Sequence, residues 1–193
     1  MILPLVILVC VYSWFRNREV THPPGVLVAN EPEQTQINEP IPLLKYKNAE
    51  LEFLAEYSIQ ARILSIENYY LGLLSKISPV DLALGWGSMS DTAVLRHFKI
   101  NQGDRFYFYM WKSKLPISEE QIVTSSANVH IIPANKSVEK MISHFRKGQI
   151  IKLSGKLVNL KMEDGESHKS SLIRTDRGPG ACEILYVERA EAI

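Results

Sequence analysis

The chain has 193 residues, of which 46% are hydrophobic and 22% charged, with a formal net charge of +1. That length suits one domain with a real core plus a tail. The near-zero charge argues against a broad phosphate-binding surface, so no nucleic-acid partner is expected. The two cysteines, Cys10 and Cys182, sit near opposite ends, which argues against a disulfide between them. No Cys/His spacing resembles a structural zinc site, and neither a metal nor a cofactor is expected.

Ile2–Phe15 carries no charge. It is shorter than the roughly 20 apolar residues of a spanning helix and closer to a signal-peptide core. Tyr12 and Trp14 stand where interfacial aromatics belong, and Arg16 and Arg18 follow. Residues 1–18 therefore read as a membrane anchor or signal-like segment. Taken literally, the positive-inside rule keeps the domain cytoplasmic, and a basic region upstream of Met1 would reverse that. Thr21–Pro42 holds Pro23, Pro24, Pro32, Pro40 and Pro42 without periodicity. Residues 19–44 are expected to form an extended tether, with Val26–Val28 a candidate edge strand. Residues 45–193 form the globular domain.

From Leu51 to Ile63 apolar and polar residues alternate, which predicts one long strand or two joined by a bend. Ser78–Pro79–Val80–Asp81 has the composition of a helix start, and Ser88–Met89–Ser90–Asp91 opens a second helix with Val94, Leu95 and Phe98 inward. Arg105–Trp111 is aromatic or apolar on both faces and predicts a central, doubly covered strand. Ser118–Gln121 is a capping box. Asn128–Ile132 is expected to be extended up to Pro133, and Ser137 to cap a helix that Gly148 stops. Gln149–Met162, Ser167–Asp176 and Ala181–Glu188 predict a three-stranded meander turning at Asp164–Gly165 and Gly178–Pro179–Gly180. The apolar phase of the first of these strands slips between Leu157 and Val158, which predicts a bulge or burial on both faces. The fold class is α+β, with a mostly antiparallel sheet or small barrel, several short helices and a preceding membrane segment. An oligonucleotide/oligosaccharide-binding barrel is the fold-level analogy.

Four stretches carry a resemblance: Thr21–Val28, Ser78–Gly87, Ser126–Ala134 and Ser170–Glu183. Together they resemble a family of small, uncharacterised bacterial proteins with a hydrophobic N-terminus. The resemblance implies a bacterial envelope protein and brings no activity, cofactor or catalytic residue. The expected location is the bacterial inner membrane, with the globular domain on the periplasmic side. The chain departs from it in lacking a basic region before the apolar run.

Several groups can carry chemistry. Cys182 follows a Gly-Pro-Gly turn; His130 is its candidate base, with Asn128 or Asp176 to orient the imidazole. The plainer reading makes Cys182 a small apolar residue in phase with Ile184 and Tyr186. A metal site from His130, His97 and Asp81 or Asp91 lacks helical i, i+4 pairing, so incidental histidines are favoured. Arg174 with Asp176–Gly180 is a candidate anion site or an ordinary turn with an Arg–Asp pair. Trp86, between Gly85 and Gly87, is a candidate aromatic platform with Tyr107, Tyr109 and Trp111, or a core plug. The function expected from sequence is a membrane-tethered envelope module binding a protein, peptide or glycan through Trp86, Asn128, His130, Arg174, Asp176 and Arg177. The alternative is a thiol hydrolase or transferase using Cys182, His130 and Asn128.

Overall fold

A computed structural model describes residues 18–39, 41–111 and 114–193; the run Ile2–Phe15, with Cys10, lies outside them. The fold is α+β, dominated by a mostly antiparallel sheet with a few short helices. Its strands are β1 (Glu33–Gln36), β2 (Leu44–Tyr46), β3 (Ala49–Asn68), β4 (Val80–Gly85), β5 (Phe98–Gly103), β6 (Phe106–Trp111), β7 (Ser126–Pro133), β8 (Ile150–Met162), β9 (Ser167–His168) and β10 (Glu183–Ala192). The helices are α1 (Leu73–Ile77), α2 (Thr92–Leu95), α3 (Glu119–Thr124) and α4 (Lys136–Ile142), with a 3-10 turn at Gly87–Ser90.

Five strands pair in a closed ring. β3 runs antiparallel to β4, β4 to β7, β10 to β8 and β8 back to β3, whereas β7 and β10 are parallel. Period-two alternation sends one residue set inward: Tyr57, Ile59, Ala61 and Ile63 of β3 meet Leu82, Leu84, Val129, Ile131, Leu153, Leu185 and Val187. Val138, Ile142 and Phe145 from α4 and the residues after it join this core. The phase slip expected in β8 has its cause across the ladder. Phe53 faces Val158 and Ala55 faces Leu157, so β3 skips Leu54 at that point. At Gly155 the β8 backbone meets β10 so closely that a Cβ would lie 1.9 Å from the Tyr186 carbonyl oxygen.

Several expectations change. Val80–Gly85, preceded by the helix-start composition at Ser78, is a strand with every residue buried; pairing on both edges and full burial outweigh a local capping signal. The second expected helix shrinks to the 3-10 turn and α2, capped by Asp91, and Phe98 starts β5. Asn135, not Ser137, caps α4. The capping box at Ser118 is present. Of the strand expected at Ser167–Asp176 only Ser167–His168 forms; the residues from Ser170 on make a loop in which Asn159, Ser171 and Asp176 side chains supply bonds that a ladder would otherwise make. β10 then lies between β8 and β7 rather than closing a meander. Arg105–Trp111 is not central: β6 pairs only with β5 in a separate hairpin, whose outer face is open.

The stretch expected as a tether is laid along the ring. Val20 N–H donates to Lys147 O, and Leu27 and Val28 N–H to Ser90 Oγ. Val28 is buried without forming a strand, and β1 pairs with β3.

Trp86 is 2% exposed and belongs to the ring core, with its backbone N–H bonded to Ser125 O. Trp86→Ala is expected to cost about 3–5 kcal/mol in urea unfolding, the loss typical of a large buried aromatic. Unchanged stability would restore the platform reading.

Candidate active site

Strand register assembles a polar row on the outer face of the ring. β4 places Asp81 opposite His130 of β7, and β7 places His130 opposite Ile184 of β10, two residues past Cys182. Inward neighbours Leu82, Val129 and Leu185 fill the core, so alternation turns Asp81, Asn128, His130 and Cys182 to the other side. There the β5–β6 hairpin covers them: Phe98, Ile100, Tyr107 and Tyr109 pack on Leu64, Ala83, Met89 and Ile122.

The hairpin tip delivers a cation. Asp104 and Arg105 both have positive φ (50° and 68°), the conformation of a two-residue turn that favours glycine or asparagine. A side chain there costs on the order of 1 kcal/mol, and Arg105 offsets it through its contacts. Its Nη1 lies 2.8 Å from Asp81 Oδ1, its Nη2 donates to Ser78 O at 2.9 Å, and the guanidinium stacks 3.7 Å from the centre of the Tyr69 ring. The Arg105 carbonyl accepts from Asn128 Nδ2 at 3.0 Å. Tyr69 OH accepts the Arg105 N–H, and burial, then Asp81, push its hydroxyl up to about 12.

Asp81 is fully buried and receives both cations on one oxygen: His130 Nδ1 also lies 2.9 Å from Oδ1. The contact is ionic rather than an aligned hydrogen bond, because the ring N–H misses the oxygen and Nδ1 has no hydrogen-bond partner by direction. Apo sites commonly show such loose alignment. Burial works against charging His130, yet the neighbouring Asp81 carboxylate and Cys182 thiol outweigh it and raise the imidazole to about 9. Asp81 of β4, His130 of β7 and Cys182, just before β10, thus form a carboxylate–imidazole–thiol sequence. Asn128 Nδ2 lies 3.6 Å from Cys182 Sγ and steadies the thiol rather than the ring. Cys182 is half-buried, not sealed in the core.

Two cavities meet at Cys182 and Phe106. One, of about 340 Å³, is also lined by Ser78, Arg105, His130, His168 and Ile184. The other, of about 240 Å³, holds Asn128, Arg174, Asp176, Arg177 and Glu183 with Tyr107 and Tyr109. In the second, Arg174 Nη1 pairs with Glu183 Oε1 and its guanidinium sits 5.3 Å from the Trp86 ring centre. Asp176 takes the Ser171 hydroxyl, and Arg174 pairs with Glu183 rather than within the turn. Burial raises Glu183 to about 7 against the lowering pull of Arg174, and its Oε2 has no partner.

The structure therefore brings Cys182, His130 and Asn128 together, and gathers Asn128, Arg174, Asp176 and Arg177 around one cavity. It leaves Trp86 beneath Arg174 in the core and His97 beside Arg96, outside this cluster. Among the described residues no group of three or more His, Cys, Asp and Glu is arranged to hold a metal ion. Arg105, Tyr69, Glu183 and the orienting role of Asp81 were not found from sequence. Only the Asp104–Arg105 turn left a local signal.

No family model, curated protein or solved structure matches the chain.

Proposed function

We propose that this protein is a membrane-tethered thiol hydrolase or transferase of the bacterial envelope, anchored by Ile2–Phe15 with its domain on the periplasmic side. The supporting observation is the Asp81–His130–Cys182 row opening into the larger cavity. His130 already carries its proton at neutral pH, so the sulfur attacks an acyl carbon as the thiolate of an ion pair with the imidazolium. The S–C bond forms as the bond to the leaving group breaks, and His130 gives its proton to that group. Water or an acceptor then displaces the acyl group, with His130 as base. Asp81 holds the imidazolium, and Arg105 gives this buried carboxylate a second positive partner where a lone one would be costly.

Position in the fold also supports the reading. In chain order the ring strands β3, β4, β7, β8 and β10 pair 1-2-3-5-4-1, with α4 between the third and fourth. That is the arrangement of an oligonucleotide/oligosaccharide-binding barrel, whose ligands lie on the face of strands two and three between loops 1–2 and 4–5. Ser78, Asp81, His130 and Cys182 occupy that face and those loops. The likeness concerns position and says nothing of the ligand.

Acyl trapping tests the proposal. Incubation of the full chain with 4-nitrophenyl acetate is expected to give a burst of nitrophenol and an added acetyl group, mapped by peptide mass to Cys182 and absent in Cys182→Ala. A folded protein unmodified at Cys182 overturns it. The second cavity favours the other reading, a module that binds a protein, peptide or glycan through Asn128, Arg174, Asp176 and Arg177, because Glu183 Oε2 is a buried acceptor without a partner.

A further inference from the structure

The β5–β6 hairpin is the one two-stranded sheet that stands outside the ring among the described residues, and only its inner face is covered. Phe106, Phe108 and Met110 alternate on the outer face, and Trp111 ends the strand; each exposes 40–52% of its surface. Register adds Lys99 opposite Met110 and Asn101 opposite Phe108, both exposed. Aromatic, methionine and lysine side chains on one open sheet face have the composition of a bilayer interface, where aromatic rings sit at headgroup depth and Lys meets anionic lipid.

The path of the chain says what lies against that face. Val20 is tied to Lys147 O, His22 Nε2 to Gly148 O at 2.8 Å, and Glu19 to Lys147 Nζ at 3.2 Å. No free spacer therefore follows Glu19. Phe15 is five residues upstream of Val20, at most about 18 Å of extended chain, so the domain is held within about that distance of the apolar run. Glu19 and Lys147 share a groove with Leu95, Arg96, Phe98 and Ile100, and Phe98 pairs with Trp111. The anchor thus leaves the domain beside the Trp111 end of the hairpin.

We propose that the outer face of the β5–β6 hairpin rests in the interfacial layer of the bilayer that holds Ile2–Phe15, giving the domain a second, side-chain-mediated membrane contact. This rests on the reading of Ile2–Phe15 as a membrane anchor. The contact fixes the orientation of the domain and places Phe106, a wall of both cavities, against lipid.

The test uses the full chain with Trp14→Phe, reconstituted with phosphatidylethanolamine–phosphatidylglycerol vesicles with or without acyl-chain bromination. Two tryptophans then remain, Trp86 in the core and Trp111 on the hairpin. Bromolipid is expected to quench roughly half of the emission, and the double substitution Phe108→Asp, Met110→Asp to remove that quenching while the protein still floats with the vesicles. Flotation without quenching overturns the hairpin contact and leaves the anchor intact; the face would then be covered by a second copy or by another protein. Quenching that survives the double substitution overturns it as well. Protein that does not float overturns the anchor and this inference with it.

Discussion

His130→Ala is expected to slow iodoacetamide alkylation of Cys182 at pH 6.5 by roughly ten- to a hundredfold, with Cys10 resolved by peptide mapping. An unassisted thiol ionises near 8.5, so about 1% is thiolate at that pH. A neighbouring imidazolium stabilises the thiolate, and His130 keeps its proton up to about 9 despite burial because Asp81 and the thiol hold it. The assistance is greatest at low pH. Above about 9 the imidazole discharges and a thiol ionises without help, so the two alkylation curves should converge. Curves that coincide from pH 6 to 10 would remove His130 from the mechanism and leave Cys182 an ordinary half-buried thiol.

Asp81→Ala is expected to destabilise the domain by about 3–5 kcal/mol, because it strands two cations that share one buried carboxylate. For a domain of this size that lowers Tm by roughly 10 °C. Asp81→Asn, which keeps the shape and an acceptor oxygen, should cost less. The pH dependence carries a second signature. His130 binds its proton more tightly folded than unfolded, with a folded value of about 9 against 6.5. Its contribution is therefore fully present below pH 6.5 and lost as pH rises through 9. Urea unfolding of the wild type should show this decline, and Asp81→Ala should flatten it. An unchanged midpoint and slope would mean that the Asp81 contacts carry no net stability.

Most strands were legible because half-buried strands write their period into the chain. The alternation from Leu51 to Ile63 gave β3, and the slip at Leu157–Val158 announced a bulge, though not that the extra residue is Leu54 on the facing strand. Side-chain capping at Ser118 was legible for the same local reason. Val80–Gly85 was not, since a strand buried on both faces has no alternation and the serine and proline before it imitate a cap. For β6 the aromatic residues on both faces gave the strand but not the open side, because exposure depends on what the hairpin packs against.

The site divides in the same way. Residue types and spacing alone nominated Cys182, His130 and Asn128, since a thiol and an imidazole are recognisable wherever they fall. Their union depended on register. Asp81 lies 49 residues before His130, and only the β4–β7 ladder sets the two opposite each other. Arg105 arrives through a hairpin turn inserted between those strands, and Glu183 replaces Asp176 as the partner of Arg174 because the preceding loop folds back on Ser171. Composition and periodicity alone specified an α+β chain with an apolar N-terminus and a candidate thiol. The tertiary structure decided that the strands close into a ring, that the proline-rich stretch packs on it, and that a carboxylate stands behind the imidazole. Those outcomes depend on contacts between distant residues, and local propensity carries no information about them.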